Sequence, residues 1–244
     1  MKKYYYDFHI HSCLSPCGDN DMTPNNIVGV GLLVGLNVMA LTDHNSCKNC
    51  PAFFAAAKKN GIVPVAGMEL TTAEDIHVVC LFEHLADAMR FDAYIEEHRM
   101  HIPNNTAVYG EQLILDENDE PIGSEPYFLL PATEVSIDDA ADVVAGFNGI
   151  CYPAHVDREA NGIIATLGVF PENEKFLCAE FYDADKQKEY FENYPPLRQK
   201  RILVSSDAHN LWSIREKNDH FALGEEEMNE TDVRRAIFKL LRQK

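Results

Sequence analysis

Short hydrophobic runs alternate with amphipathic segments along this chain. Tyr4–Ile10 alternates between apolar and polar positions as a β-strand does, and Val38–Leu41 is a short apolar strand. Between them, Thr23 followed by Pro24 is typical of an N-cap with proline at the first helical position, so a helix is predicted over 25–34. This strand–helix–strand order predicts an α/β fold.

The same alternation continues to the end of the chain. Strands are predicted at Ile62–Ala66, Ile76–Phe82, Gly149–Tyr152, Phe176–Phe181 and Arg201–Val204, and helices at Ala52–Asn60, Leu85–His98 and Thr231–Leu241. Seven strands with polar residues at most of their ends predict a small barrel related to the TIM barrel.

One connection departs from a regular barrel. Only seven residues separate Glu69 from His77, which is too few for a helical crossover. We therefore predict that the strand Ile76–Phe82 runs antiparallel to Ile62–Ala66, which would place His77 beside Glu69 at the same rim.

Residues 84–131 do not fit one barrel repeat. They contain the helix Leu85–His98 and a predicted hairpin around Asp116–Asp119. We interpret 84–131 as an insertion or lid within a single domain of residues 1–244. A solvated surface excursion without a function is the alternative.

The charge balance limits the choice of partner. The chain has 39 acidic and 21 basic residues, a net charge of −18. Such a surface argues against long duplex nucleic acid and against anionic membranes as partners. The first residues lack the pattern of a signal peptide, and the apolar stretch Ile27–Leu41 is shorter than the roughly 20 residues that span a bilayer. We therefore expect a cytoplasmic protein, whose cysteines are thiols or metal ligands.

Histidines and acidic residues stand where the predicted strands give way to loops. The set is His9, His11, Asp43, His44, Glu69, His77, His155, Asp207 and His209. The ends of barrel strands gather on one face, so we predict a metal site there. Mixed imidazole and carboxylate ligands favour zinc, iron or manganese.

These ligands are too many for one ion. We expect two or three divalent ions, with Glu69 able to bridge two of them. A further acid is either Asp19 or Asp21, in the loop after the first strand, and Asp19 is preferred. Such a centre would attract an anion and lower the pKa of bound water.

The same motifs resemble those of a known family, the PHP (polymerase and histidinol phosphatase) domain. The matching runs are His9-Ile10-His11-Ser12, Thr42-Asp43-His44, Gly67-Met68-Glu69, His77, Pro153-Ala154-His155 and Ser206-Asp207-Ala208-His209. They stand in the family's order and span nearly the whole chain except 84–131. The resemblance implies a distorted seven-stranded (β/α)7 barrel with a trinuclear metal site.

The resemblance also implies which residues share a metal. One ion would be bound by His9, His11, Glu69 and Asp207, a second by Glu69, His77 and His155, and a third by His44, His209 and an acid aligned with Asp19. The family usually has an aspartate directly after the second serine, where this chain has Pro16.

Four further residues are candidates for supporting roles. Arg158 is a candidate catalytic residue that would contact a phosphate oxygen, with a surface salt bridge as the alternative. Asp43 is a second candidate catalytic residue. Asp7 and Glu180 lie near strand ends, where each either supports a metal ligand or has a purely structural role.

Cys13, Cys17, Cys47 and Cys50 form two pairs in loops that we expect to be neighbours. Four thiolates there would suit a structural zinc or an iron–sulfur cluster. We favour the alternative that they are buried free thiols.

The function expected is a metal-dependent phosphoesterase. Its substrate would be a small or terminal phosphate ester: a phosphomonoester, a nucleotide or an oligonucleotide end. One alternative is an amidohydrolase-type enzyme, which also begins with His-x-His but normally lacks a counterpart of His209. The other is a non-catalytic metal-binding or redox-sensing module.

Overall fold

Strands and helices alternate through most of the chain, as predicted. The computed structural model describes residues 1–172, 174–224 and 228–243. The strands are β1 (Lys2–Asp7), β2 (Val38–Leu41), β3 (Val63–Thr71), β4 (His77–Phe82), β5 (Leu113–Leu115), β6 (Pro121–Ser124), β7 (Gly149–Pro153), β8 (Cys178–Phe181), β9 (Arg201–Val204) and β10 (His220–Leu223). The helices are α1 (Pro24–Leu33), α2 (Cys50–Lys59), α3 (Leu85–His98), α4 (Thr106–Tyr109), α5 (Ile137–Gly146), α6 (Ile163–Leu167), α7 (Gln187–Asn193) and α8 (Glu230–Leu241).

The main sheet has the strand order β10-β1-β2-β3-β4-β7. Strands β1, β2 and β3 are parallel, and β4 is antiparallel to β3, with a register from Ala66 opposite Phe82 to Thr71 opposite His77. The prediction of an antiparallel fourth strand is therefore confirmed. The short link after β3 forces the chain to turn back on itself.

The strands β8 and β9 form a separate parallel pair beside this sheet. The Val156 N–H donates to the Glu180 carbonyl at 2.8 Å, next to β7, and an isolated bridge joins Ile10 to Ala208 beyond the end of β1. The fold is α/β with a main sheet that curls into a half-barrel. The count of seven strands in one closed barrel stays a prediction.

The first strand is shorter than predicted, ending at Asp7 rather than Ile10. Beyond Asp7, the regular strand pairing gives way to isolated backbone contacts, such as the bridge from Ile10 to Ala208, and to contacts between backbone groups and side chains. The His9 N–H donates to Asp7 Oδ1 at 3.3 Å, and the Ile10 N–H donates to Thr42 Oγ1 at 3.1 Å. His9 and His11 therefore lie on an irregular segment that both backbone and side-chain hydrogen bonds hold in place; the His11 N–H, for example, donates to the Ala208 carbonyl at 2.9 Å.

Helix α8 completes one of the two hydrophobic cores. Its residues Val233, Ile237 and Phe238 are buried in the same cluster as Phe8 and Tyr152. Burying such side chains stabilises a fold by about 1.5–3 kcal/mol each. The predicted amphipathic helix at the end of the chain is confirmed, and its apolar stripe packs against the sheet that carries the candidate site.

Residues 84–131 are bound to loops of the main sheet. Asn49, in the loop after β2, donates from Nδ2 to the Leu113 carbonyl at 3.1 Å and accepts from the Leu115 N–H at 2.9 Å. Nearby, Asn45 Nδ2 donates to the Leu129 carbonyl at 2.7 Å. The predicted hairpin is present as β5 and β6, and it braces the loop that follows His44. Its function as a lid stays a prediction.

Candidate metal centre

One buried carboxylate, that of Glu69 on β3, lies among five histidines. Its Oε1 is 2.8 Å from His77 Nδ1, 3.1 Å from His155 Nε2 and 3.2 Å from His9 Nε2. Its Oε2 is 3.1 Å from His44 Nδ1 and 3.2 Å from His11 Nε2. The structure thus brings together side chains that the sequence predicted to meet.

A second carboxylate, Asp207, closes the group. Its Oδ1 lies 3.2 Å from His11 Nε2 and 3.4 Å from His9 Nε2. His209 Nδ1 is 3.6 Å from the same oxygen. Asp207 follows β9, so a segment far along the chain from Glu69 contacts the same two histidines.

Three sets of residues could each hold a metal ion, because the ligand atoms within each set all lie within 4.8 Å of one another. They are His9, His11, Glu69 and Asp207; then His44, Glu69 and His77; then His11, His44 and His209. The first set is the one that the family resemblance implies. The second contains His44 where the resemblance implies His155, although His155 contacts the same Glu69 oxygen as His77.

Several of these atoms are buried without a hydrogen-bond partner. They are His9 Nε2, His11 Nε2, His44 Nδ1, Glu69 Oε2 and Asp207 Oδ1. Leaving one such buried polar group unsatisfied costs about 1–3 kcal/mol. Because each of the five atoms lies within 3.4 Å of at least one other, a set of divalent cations would satisfy them together, and the donor types suit zinc, iron or manganese.

The outer nitrogen of His9 is held by Glu180, on β8. His9 Nδ1 lies 2.8 Å from Glu180 Oε1, and the His155 N–H donates to the same oxygen at 3.1 Å. A carboxylate partner at Nδ1 orients the ring and leaves Nε2 free for a cation. Glu180 therefore positions two of the candidate ligands, a role that the sequence left open.

Asp43 acts through Ser15. Its Oδ1 accepts from Ser15 Oγ at 2.7 Å, and Ser15 Oγ lies 3.0 Å from His11 Nδ1. Asp43 also accepts from the Ser12 N–H and hydroxyl, each at 2.7 Å. The side-chain hydrogen bonds of Asp43 thus lead to the loop after β1, so this carboxylate is placed to orient His11.

The charges in the centre shift the pKa values of its members. Burial raises the pKa of Glu69, but the histidines around it, His77 first, outweigh burial and hold that pKa well below its usual range. Burial lowers the pKa of His11, but hydrogen bonds to Asp207 and Glu69 outweigh it and raise the pKa to about 9. His44, by contrast, has a pKa well below its usual range because of burial.

Two candidate ligands lie on left-handed backbone. His155 has φ +26° and Asp207 has φ +50°, a region that residues other than glycine rarely adopt. Both follow the end of a strand, so the backbone bends sharply where the side chain turns into the centre. Such strain persists only where the surrounding structure holds it.

Asp19 lies at the edge of the centre. Its N–H donates to the His209 carbonyl at 2.8 Å, but its side chain is exposed and belongs to none of the three sets formed by described residues. Its role as a third-site ligand stays a prediction. Asp21 is also exposed.

Arg158 borders the centre from the loop after β7. Its Nη1 pairs with Asp207 Oδ2, and about a third of its side chain is exposed. Its guanidinium carbon lies 3.8 Å from the centre of the Tyr182 ring. The guanidinium group is therefore held beside the candidate ligand Asp207, and its role in contacting a phosphate stays a prediction.

The four loop cysteines differ in their burial and in their contacts. Cys47 Sγ and Cys50 Sγ are 3.2 Å and 3.6 Å from the Gly67 carbonyl oxygen, Cys13 is buried and Cys17 is exposed. None of the three ligand sets found among the described residues contains a cysteine. The expectation that these thiols bind no metal stays a prediction.

The comparison with protein families identifies the chain. The model of the PHP domain matches residues 7–126. This match confirms, over that stretch, the resemblance to the PHP domain family that the motifs predicted. The matched stretch includes Glu69 and His77, whereas His155, Arg158 and Asp207 lie beyond it, so their place in this PHP protein rests on the geometry above.

Three relatives show how far the likeness extends. Over 79 residues this PHP protein is 35% identical to the 5'-3' exoribonuclease of Haemophilus influenzae, a match that covers 31% of this chain and 28% of that protein. The match thus spans less than a third of that relative's length.

Two solved structures share its fold. A metal-dependent phosphoesterase of Bifidobacterium adolescentis matches with a TM-score of 0.60 and 15% identity, over 97% of this chain and 96% of that one. Endonuclease Q of Pyrococcus furiosus, which is lesion-specific, matches with a TM-score of 0.56 and 16% identity, over 86% of this chain and 49% of that one. Endonuclease Q is also known in complex with a 27-mer duplex that has an abasic lesion at its active site.

No helix within the described ranges is both long enough and apolar enough to cross a membrane.

Proposed function

We propose that this PHP protein is a metal-dependent phosphoesterase that hydrolyses a small or terminal phosphate ester. The observation that carries the proposal is the buried Glu69 carboxylate, which has nitrogen atoms of five histidines within 3.2 Å. A carboxylate so surrounded is suited to bridge two cations. The exoribonuclease and phosphoesterase relatives support the same reaction class.

The ligands would divide among two or three cations. The set His9, His11, Glu69 and Asp207 would hold one ion. Glu69 and His77 would hold a second, with His44 or His155. His209 would hold a third, with Asp19 at its open side. Bound divalent ions would supply positive charge for phosphate oxygens and lower the pKa of coordinated water.

Arg158 would bind the non-bridging oxygens of the substrate phosphate. It pairs with Asp207 and is partly exposed, and its contact with Tyr182 limits the positions it can adopt. Guanidinium donors match phosphate oxygens in pairs. An arginine held in advance loses less conformational entropy when the substrate binds.

The surface charge favours small or terminal substrates. A net charge of −18 repels an extended nucleic-acid backbone. The exoribonuclease relative acts from a chain end, as its name states. The complex of endonuclease Q with a duplex makes internal cleavage the competing outcome.

The test is a hydrolysis screen with stripped protein reconstituted separately with manganese, zinc and iron. The panel contains a nucleotide, a 5'-phosphorylated oligonucleotide, circular single-stranded DNA, an amide and a lactone. We expect phosphate or nucleotide release from the first two, and loss of that release on chelation. Cleavage of the amide or lactone but of no phosphoester would make the protein an amidohydrolase. Equal cleavage of circular and linear DNA would overturn the restriction to ends.

A further inference from the structure

Two arginines contact one tyrosine ring beside the candidate metal centre. The guanidinium carbons of Arg158 and Arg215 lie 3.8 Å and 4.3 Å from the centre of the Tyr182 ring. They can therefore be no further apart than the sum of these two distances. Arg158 also contacts the candidate ligand Asp207. Arg215 is therefore linked to the candidate metal centre through Tyr182 and Arg158.

The position of Arg215 is held through Tyr182. The Tyr182 N–H donates to Asp157 Oδ1 at 2.7 Å, and the Tyr182 carbonyl accepts from Arg215 Nη1 at 2.5 Å. Asp157 is buried and directly precedes Arg158. The loops after β7 and β8 and the segment after β9 thus fix both guanidinium groups relative to each other.

Arg215 has no carboxylate partner among the described residues. Throughout residues 1–172, 174–224 and 228–243, no carboxylate oxygen lies within 4.0 Å of its guanidinium nitrogens, whereas Arg158 has Asp207. An arginine without a carboxylate partner is unexpected in a chain that has 39 acidic and only 21 basic residues. One hydrogen bond to a carbonyl leaves most of the five guanidinium donors available to an anion.

We propose that Arg215 binds a second anionic group of the substrate while the scissile phosphate lies at the metal centre beside Arg158. This inference rests on the proposed function and narrows its substrate class. The substrate would be a phosphoester with a second phosphate close to the first, as at the end of a nucleic-acid strand. Arg215 is then a specificity-determining residue, and two guanidinium groups held in advance on one ring match two phosphates of one molecule.

The test compares two substrates that differ only in one charge. Both are 5'-phosphorylated dinucleotides; one has an ordinary phosphodiester link and the other an uncharged methylphosphonate link. Release of the 5'-phosphate from each is followed with the full chain loaded with manganese. The variants are Arg215→Gln, Arg215→Lys and, as a matched control, Arg198→Gln, which alters an exposed arginine in the turn before β9.

We expect the wild-type KM to be about tenfold lower for the charged dinucleotide than for the uncharged one. Hydrogen bonds between charged groups contribute more to binding than neutral ones do. Arg215→Gln should remove most of this difference with kcat changed about twofold or less. Arg215→Lys should restore part of it, and Arg198→Gln should behave as the wild type. Metal content and melting temperature, measured in parallel, separate a binding role from a loosened loop.

Three results would overturn the inference. The first is a wild-type KM that is the same for the charged and the uncharged dinucleotide. The second is a KM difference between these substrates that remains in Arg215→Gln. The third is cleavage only at the internucleotide link. If the wild type hydrolyses neither compound, the proposed function has failed, but both compounds remain intact ligands. Isothermal titration calorimetry then decides the inference, because Arg215→Gln must still weaken binding of the charged compound more than that of the uncharged one.

Discussion

Glu69 Oε1 lies 2.8 Å from His77 Nδ1, although the two residues stand on opposite sides of a strand reversal. Because β4 returns antiparallel to β3, His77 reaches the carboxylate that His9 and His11 also contact. The short connection that interrupts the regular barrel pattern is therefore what adds a histidine to the centre.

We predict that Glu69→Gln lowers metal content and reduces turnover by at least about a thousandfold, with the fold retained. The pKa of Glu69 is held well below its usual range, so the side chain is ionised, and an amide would remove the charge that several histidines and a cation share. Elemental analysis and thermal unfolding check the two parts. Glu97→Gln, which alters an exposed residue on α3, is the control; full metal content in Glu69→Gln would refute this role.

The membership of the candidate centre could be predicted in large part from sequence. His9 and His11, and likewise Asp207 and His209, are two residues apart after predicted strands, and parallel strands bring their ends to one edge. The antiparallel turn before His77 followed from a count of seven residues. In each case a local feature of the chain was enough.

The supporting residues needed the structure. Glu180 is 171 positions from His9, and no local spacing indicates that the two meet. Strand β10 pairs antiparallel with β1, Lys2 opposite Leu223, and it was missed. Its four residues alternate between exposed and buried, beginning with the exposed His220. Such a pattern is too short to distinguish from a loop.

We predict that Arg158→Ala reduces kcat/KM by about 10-fold to 100-fold, since a hydrogen bond to a charged group contributes roughly 1.5–3 kcal/mol. Metal content should fall much less, because Arg158 contacts only Asp207 among the candidate ligands. Steady-state kinetics and elemental analysis on one preparation give both values. The exposed Arg90, paired with Asp87 on α3, provides the control Arg90→Ala. Loss of metal in proportion to activity would make Arg158 a structural residue.

We predict that metal binding releases protons near neutral pH. In the metal-free protein the pKa of His11 is raised to about 9, because hydrogen bonds to Asp207 and Glu69 outweigh burial. This ring is therefore protonated at pH 7 and must lose its proton to bind a cation, so affinity should rise with pH up to about 9. The expected slope is about tenfold per pH unit for each proton released. Calorimetry in buffers of different ionisation enthalpy measures the release; an affinity that stays constant from pH 6.5 to 8 would contradict it.

We predict that Asp43→Asn destabilises the protein by about 1–3 kcal/mol and weakens metal binding. The Asp43 carboxylate accepts hydrogen bonds from Ser12 and Ser15. In Asp43→Asn, the NH2 group would face at least one of these donors and could not accept its hydrogen bond. Ser15 would then lose its alignment with His11. Chemical denaturation and metal titration check the result, with Asp138→Asn on the exposed face of α5 as the control. Unchanged metal affinity would show that Asp43 does not orient His11.

The central claim, that several cations share Glu69 in a centre that hydrolyses phosphoesters, is tested most directly by a stepwise titration. Chelator-stripped protein receives manganese in fractions of one equivalent, and phosphate release from a 5'-phosphorylated oligonucleotide is measured at each step. We predict that the activity continues to rise beyond one equivalent and reaches its maximum at two or three. Activity that is complete at one equivalent, or that is the same in the stripped protein, would contradict it.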